Sequence, residues 1–297
     1  DYILRGLGDT MTPSFIMLTC SLINAVVDPL LIFGIGPFPA MGIAGAAVAT
    51  VFARFITMVV SLLIQIMRDH LISFRVLTVS IIAERWKRMI FLGLPNAAVK
   101  MILPLGMGIV TAVLARFGTE AVAGYGVAAR IEGFIMSVSL AMAITAGVFV
   151  GQNVGADKPG RVREGLRWLK IYSLGYGLLM WGVLAFFRFH LAAIFSDDPV
   201  IQKTIALYLL IVPAGYGCNA LIQIGASTLN ALHKPLHAGS LSVLQIFVIN
   251  LPLVILGALL WGKGGVFLAI GVTYLTAGSL SVVIVEKELR KHFQTRK

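Results

Sequence analysis

SFIMLTCSLINAVVDPLLIFGIG, residues 14–36, sets the class of this chain. The stretch is long enough to cross the hydrocarbon core of a bilayer as a helix, which takes about 20 predominantly apolar residues. It carries one charge, Asp28. An ionisable group at membrane depth is costly and marks an ion path or a proton relay by default. Asn24 precedes Asp28 by four residues, so on a helix the two share one face. Pro29 follows and removes a backbone donor, so the helix is expected to kink or open there. A carboxylate beside a helix break in a many-span protein points to a cation-coupled transporter.

The rest of the chain is of the same kind. Hydrophobic residues make up 58% of the 297 positions and charged residues 12%, against about 25% charged in a soluble domain. The fold class is therefore all-α, a polytopic membrane protein in contact with the lipid bilayer. Eight spans are expected, at approximately 12–34, 42–66, 89–115, 121–150, 166–188, 203–229, 237–260 and 264–285. Their connections alternate in charge. One set carries seventeen Lys and Arg residues, Arg5 and Lys234 with five each between Arg68 and Arg88, between Lys158 and Lys170, and from Lys287 onward; the other carries only Arg116, Arg188, Lys203 and Lys263. By the positive-inside rule the first set, with both termini of the chain, is cytoplasmic. The net charge of +11 thus needs no nucleic acid to explain it. Cys20 and Cys218 have no CxxC spacing and read as core thiols.

The longest connection, 67–88, is basic and mildly amphipathic, as expected of a linker on the inner membrane surface. It divides the chain into 1–66, the last two helices of an N-terminal bundle, and 89–297, a six-helix C-terminal bundle. An internal repeat supports this division. DPLLIFG (28–34) matches LPLVILG (251–257) at an offset of 223, which also pairs Gly42 with Gly265 and Ala46 with Ala269. Both copies run from inside to outside, so the repeat is parallel. The second copy ends a six-helix unit. If the first does too, four helices precede residue 1, and the chain is the remainder of a twelve-helix, two-bundle transporter.

Depth arithmetic extends the site. With a rise of about 1.5 Å per residue, Asp28 lies about 9 Å below the outer surface, Asn24 about 15 Å and Thr50, on the next span, about 12 Å. Together they offer a carboxylate, an amide oxygen and a hydroxyl, which suit a proton relay or a hard cation such as sodium. Arg54, four residues past Thr50, is expected to bond backbone carbonyls or to pair with Asp28. Lys100, Arg130 and Glu132 are the other charges at depth and are candidates for gating or cavity contacts. His233 and His237 stand at i and i+4 without further ligands, so no metal site is expected.

Six motifs in order, RGLGDTMTP (5–13), INAVVDP (23–29), MGIAGAAVAT (41–50), GLPNA (93–97), GYGVAARIEGF (124–134) and GQNVGADKPGRVREG (151–165), resemble the multidrug and toxic compound extrusion (MATE) family in its DinF-like branch. The resemblance runs from the end of the family's fourth helix through its twelfth. It implies a monomeric antiporter of the bacterial inner membrane. Such a protein would export amphipathic, often cationic compounds by alternating access, without a cofactor, in exchange for protons or sodium. It also implies that Asn24 and Asp28 belong to the cation site of the N-terminal bundle. Leu251 occupies the position matching Asp28 in the second bundle, so coupling is expected in the first. A lipid or lipid-linked sugar flippase of the wider superfamily is the first alternative, though Arg54, Lys100 and Arg130 are few cations for a pyrophosphate cavity. A membrane-embedded enzyme is the second. It needs a nucleophile–base pair or paired carboxylates at membrane depth, and neither is evident.

Overall fold

A computed structural model describes residues 9, 11–37, 39–68 and 79–294. They divide into two compact units, Asp1–Ile82 and Ala83–Lys297, and all regular structure among them is helical.

The first unit is an antiparallel hairpin of α1 (Met11–Phe33) and α2 (Ile43–Met67). Both are apolar and long enough to span a bilayer. Pro29 lies inside α1, which stays α-helical through it; the expected opening is absent. The missing proline N–H still leaves the Ala25 carbonyl without its helical donor. The buried face of α2 starts with Gly45, Ala49 and Ala53, small residues at helical spacing that let two helices approach closely without a hydrophobic driving force. A Cβ at Gly45 would stand 2.5 Å from the Leu31 carbonyl oxygen, so the helices touch backbone to backbone one turn from Asp28. At the open end of the hairpin, Asp9 accepts hydrogen bonds from Thr12 N (3.0 Å) and Thr12 Oγ1 (2.6 Å), capping α1, and pairs with Arg68 at 2.5 Å.

The second unit holds six helical segments. α3 (Val79–Leu114) begins ten residues before the expected 89, so the connection is shorter than 67–88. The basic residues Arg85 and Lys87 belong to helical turns, not to a loop. α4 (Thr119–Gly155) and α5 (Pro159–Phe195) follow. At about 1.5 Å per residue, helices of 37 residues reach well past a bilayer core. α6 (Pro199–Ile211) passes through a 3₁₀ turn containing Pro213 into α7 (Tyr216–Ala231). α8 (Pro235–Val243) passes through a π-helical stretch, Leu244–Asn250, into α9 (Leu251–Gln294). α9 breaks at Trp261 and Gly262, which leave helical geometry, so it comprises two spans. Among the described residues six stretches are long and apolar enough to cross a bilayer, the last of them, Pro235–Gln294, being 60 residues long and broken at Trp261 and Gly262; eight spans were expected.

Prolines at the first positions of α5, α6 and α8 start those helices, since Pro fixes φ and lacks a donor the first turn would leave unused. The second unit packs around two apolar clusters. One is built on Leu114, Tyr208, Leu209, Tyr216 and Phe267, the other on Val150, Val162, Leu229, Leu241 and Val285.

Candidate functional site

In the first unit Asn24, Asp28 and Thr50 converge. Asn24 and Asp28 face the same way from α1, one turn apart. Thr50 meets them from α2, its hydroxyl 3.4 Å from the Asn24 amide. With the amide turned to suit its neighbours, its nitrogen donates to Asp28 Oδ1 at 3.0 Å and its oxygen faces Thr50. Asn24 thus bonds the carboxylate, and its oxygen stands 3.4 Å from the Thr50 hydroxyl. Thr50 Oγ1 also bonds the Ala46 carbonyl at 2.9 Å, which holds its rotamer. All three residues are half-buried within the hairpin. The small face of α2 and the Gly45 crossing bring α2 close enough for this contact.

The second unit repeats part of the arrangement without the charge. Thr273, offset from Thr50 by 223, bonds the Ala269 carbonyl at 2.7 Å, the counterpart of Ala46. It lies 3.3 Å from the amide oxygen of Asn250, at the end of the π-helical stretch. Leu251 stands where the first copy has Asp28. The hydroxyl and its carbonyl are thus repeated, the amide comes from a different register position (Asn250 pairs with Val27, Asn24 with Phe247), and the carboxylate is present only in the first copy.

The remaining candidates separate. Arg54 is exposed on α2 and makes neither the carbonyl bonds nor the Asp28 pairing expected of it; it has no hydrogen bond or ion pair among the described residues. One helical turn beyond Thr50, it faces away from the hairpin's buried stripe. Arg130 on α4 is likewise exposed and unpaired among the described residues. The side chain of Lys100, on α3, lies outside the described residues.

Glu132 is held firmly. It accepts a hydrogen bond from the Tyr208 hydroxyl of α6 and another, at 2.8 Å, from the Tyr274 hydroxyl of α9. Tyr208 packs in turn on Tyr125 and edge-on against Phe267, at ring separations of 5.9 and 5.1 Å. The buried Tyr216 hydroxyl has no protein partner among the described residues. The tyrosines are the residues that sequence reasoning missed. Their signal was a phenol inside an apolar span, in ALYLLI and GVTYLTAG. A buried phenol usually finds an acceptor, and Glu132 was a carboxylate in the second bundle with no partner yet assigned.

Comparison with known proteins follows this geometry. The MatE family profile matches residues 95–256. The chain is 34% identical over 275 residues to the FAD transporter of Shewanella oneidensis, covering 93% of this chain and 61% of that one. It is 26% identical over 257 residues to the probable multidrug resistance protein YoeA of Bacillus subtilis, covering 84% and 54%. The fold superposes with a TM-score of 0.90 on a crystal structure of a variant of the MATE transporter VcmN from Vibrio cholerae, at 28% identity, over 98% of this chain and 66% of that one. The chain thus spans less than two thirds of the curated relatives it matches, and those relatives are transporters, not enzymes. With the family profile matching more than half of its length and its whole described fold shared with a MATE transporter, the chain belongs to the MatE family.

Proposed function

We propose that the protein works as a cation-coupled antiporter, exporting small amphipathic molecules from the cytoplasm by alternating access, with both ends of this chain on the cytoplasmic side of the inner membrane. The observation that carries this reading is the convergence of Asp28, Asn24 and Thr50. A carboxylate at membrane depth, bonded by an amide and close to a hydroxyl, offers oxygen ligands and one exchangeable negative charge. Such a set accepts a proton on Asp28 or a sodium ion among the oxygens. In either case the charge of Asp28 is neutralised, and the Asn24 bond must rearrange. The amide donates to an ionised carboxylate more strongly than to a neutral acid or to one already holding a cation. That difference in bonding is what biases the hairpin between two states, since a ligand shifts an equilibrium only by its differential affinity.

The test is efflux of a fluorescent cationic dye from vesicles under a proton gradient or a sodium gradient, imposed separately, for the wild type and Asp28→Asn. Efflux driven by one gradient and lost in the variant identifies the ion. Gradient-driven efflux undiminished in Asp28→Asn overturns the assignment.

A second reading concerns the cargo. The 34% identity to an FAD transporter favours an anionic flavin dinucleotide over a cationic drug. Uptake of FAD by everted vesicles, competed by cold FAD and not by a cationic dye, distinguishes the two.

A further inference from the structure

The second unit contains a cavity of about 810 Å³ that the transport chemistry does not use. Three helices wall it at the end of the unit where α5 begins and α9 finishes. α5 contributes Arg163, Arg167 and Lys170, which share a face because they recur at intervals of four and three residues. α9 contributes Arg290 and Leu289 towards its C-terminal end, and Glu286, Val285 and Val282 further from that end. α7 supplies the floor through Leu221 and Ile224, both nearly buried. Lys170 is neutralised by Glu286 at 2.6 Å. Arg163, Arg167 and Arg290 form no ion pair within 4 Å among the described residues; Arg290 feels the Glu286 carboxylate at longer range, which Lys170 already holds. Just outside the cavity, Trp168 and Tyr172 stack at 6.0 Å on the exposed side of α5. Exposed Trp and Tyr of this kind sit at headgroup depth.

The lining combines arginines with an apolar wall. Pro159 and Gln294 mark the mouth. Lys170, paired with Glu286, lies about 16 Å further along α5 at 1.5 Å per residue, and α7 and α9 line the cavity with Leu, Ile and Val. A soluble anion would leave the apolar floor unused, and a neutral lipid would leave three guanidiniums unmatched. From this juxtaposition of an unpaired arginine triad with an apolar cleft at interfacial depth, we infer that the cavity is a binding site for one anionic glycerophospholipid. Its phosphodiester lies between Arg163, Arg167 and Arg290, and an acyl chain runs over Leu221, Ile224, Val285 and Leu289. Arg is suited to this because its planar fork matches phosphate oxygens in pairs. Basic pockets between spans on the cytoplasmic side recur as phospholipid headgroup sites. The volume falls within the range of about 300–1,000 Å³ typical of small-molecule sites. The choice of leaflet rests on the proposed orientation; the binding itself does not.

The experiment is native mass spectrometry of the full chain, released from detergent in the presence of phosphatidylglycerol or phosphatidylcholine. The expected result is one retained phosphatidylglycerol that phosphatidylcholine does not displace. The Arg163→Gln/Arg167→Gln/Arg290→Gln triple is expected to weaken it roughly a hundredfold, at about 1 kcal/mol per basic residue and 1.4 kcal/mol per tenfold. A control triple of equal charge change outside the cavity, Lys158→Gln/Arg161→Gln/Lys287→Gln, is expected to leave binding unchanged. Val282→Trp, which fills the apolar wall and keeps every charge, is expected to abolish retention and guards against a folding defect in the arginine triple. Equal loss in both triples would reduce the observation to general adsorption on a basic surface. Displacement by glycerol 3-phosphate alone would make the site one for soluble phosphates. Retention in the arginine triple, or in Val282→Trp, would overturn the proposal.

Discussion

Tyr208→Phe isolates one hydrogen bond in the interior of the second unit. The Tyr208 ring is 1% exposed and packs on Tyr125 and Phe267, and phenylalanine keeps all of those ring contacts. What it removes is the hydroxyl that donates to Glu132. A hydrogen bond to a charged group contributes about 1.5–3 kcal/mol. For a unit of this size each kcal/mol moves the melting temperature by about 2–4 °C, so the variant is expected to melt about 3–12 °C lower. Cys20 and Cys218 are both partly buried thiols, and Cys218 packs where α7 crosses α9. A thiol-reactive fluorophore in detergent therefore reports the melting directly. Repeating the substitution on a Glu132→Gln background reduces the loss to that of a neutral hydrogen bond, about 0.5–1.5 kcal/mol. A shift below about 1 °C for Tyr208→Phe alone, or an equal shift on both backgrounds, would refute the view that Glu132 is a charged anchor for these phenols.

Three further outcomes follow from local geometry. A Cβ at Gly265 would stand 2.0 Å from the Gly257 carbonyl oxygen, so Gly265→Ala is expected to cost at least about 1–3 kcal/mol by overpacking. Gly264→Ala, whose nearest neighbour would be 3.8 Å away, serves as the tolerated control in the same melting assay. Asp198 caps α6 by accepting from Val200 N at 2.7 Å; Asp198→Ala is expected to cost about 1 kcal/mol and Asp198→Asn almost nothing. Hydrogen bonds from Thr12, then from Arg68, hold the Asp9 carboxyl well below its usual range. A depressed carboxylate contributes stability above its unfolded value, near pH 4, and loses it as the pH falls through the folded value. The melting difference between wild type and Asp9→Asn is therefore expected to be full above about pH 4 and to close only as the pH is lowered further; a difference that instead opened on acidification would refute it.

The sequence disclosed what depends on local spacing. Apolar runs declare membrane spans, because a bilayer demands unbroken helices of fixed length. Asn24 and Asp28 share a face by a four-residue interval, and Thr50 reaches them because a short connection forces the next helix antiparallel at a depth that can be counted. Features set by distant partners stayed hidden. The phenols on Glu132 come from positions 76 and 142 residues away, and no periodicity links them. The absence of an opening at Pro29 was equally hidden, since a proline's effect depends on whether its surroundings tolerate the freed carbonyl. The early start of α3 escaped because Glu84, Arg85, Lys87 and Arg88 follow its first turn, and charge marks the edge of the membrane but not the end of a helix.

Thr50 and Thr273 have a use beyond their own units. Each bonds the carbonyl four residues back and reaches an asparagine on the preceding helix, yet only one has a carboxylate beside it. The molecule thus carries its own blank. Thr273→Val therefore serves as the uncharged counterpart of Thr50→Val: each removes a hydroxyl that bonds its own helix beside an asparagine, and only Thr50 stands near a carboxylate.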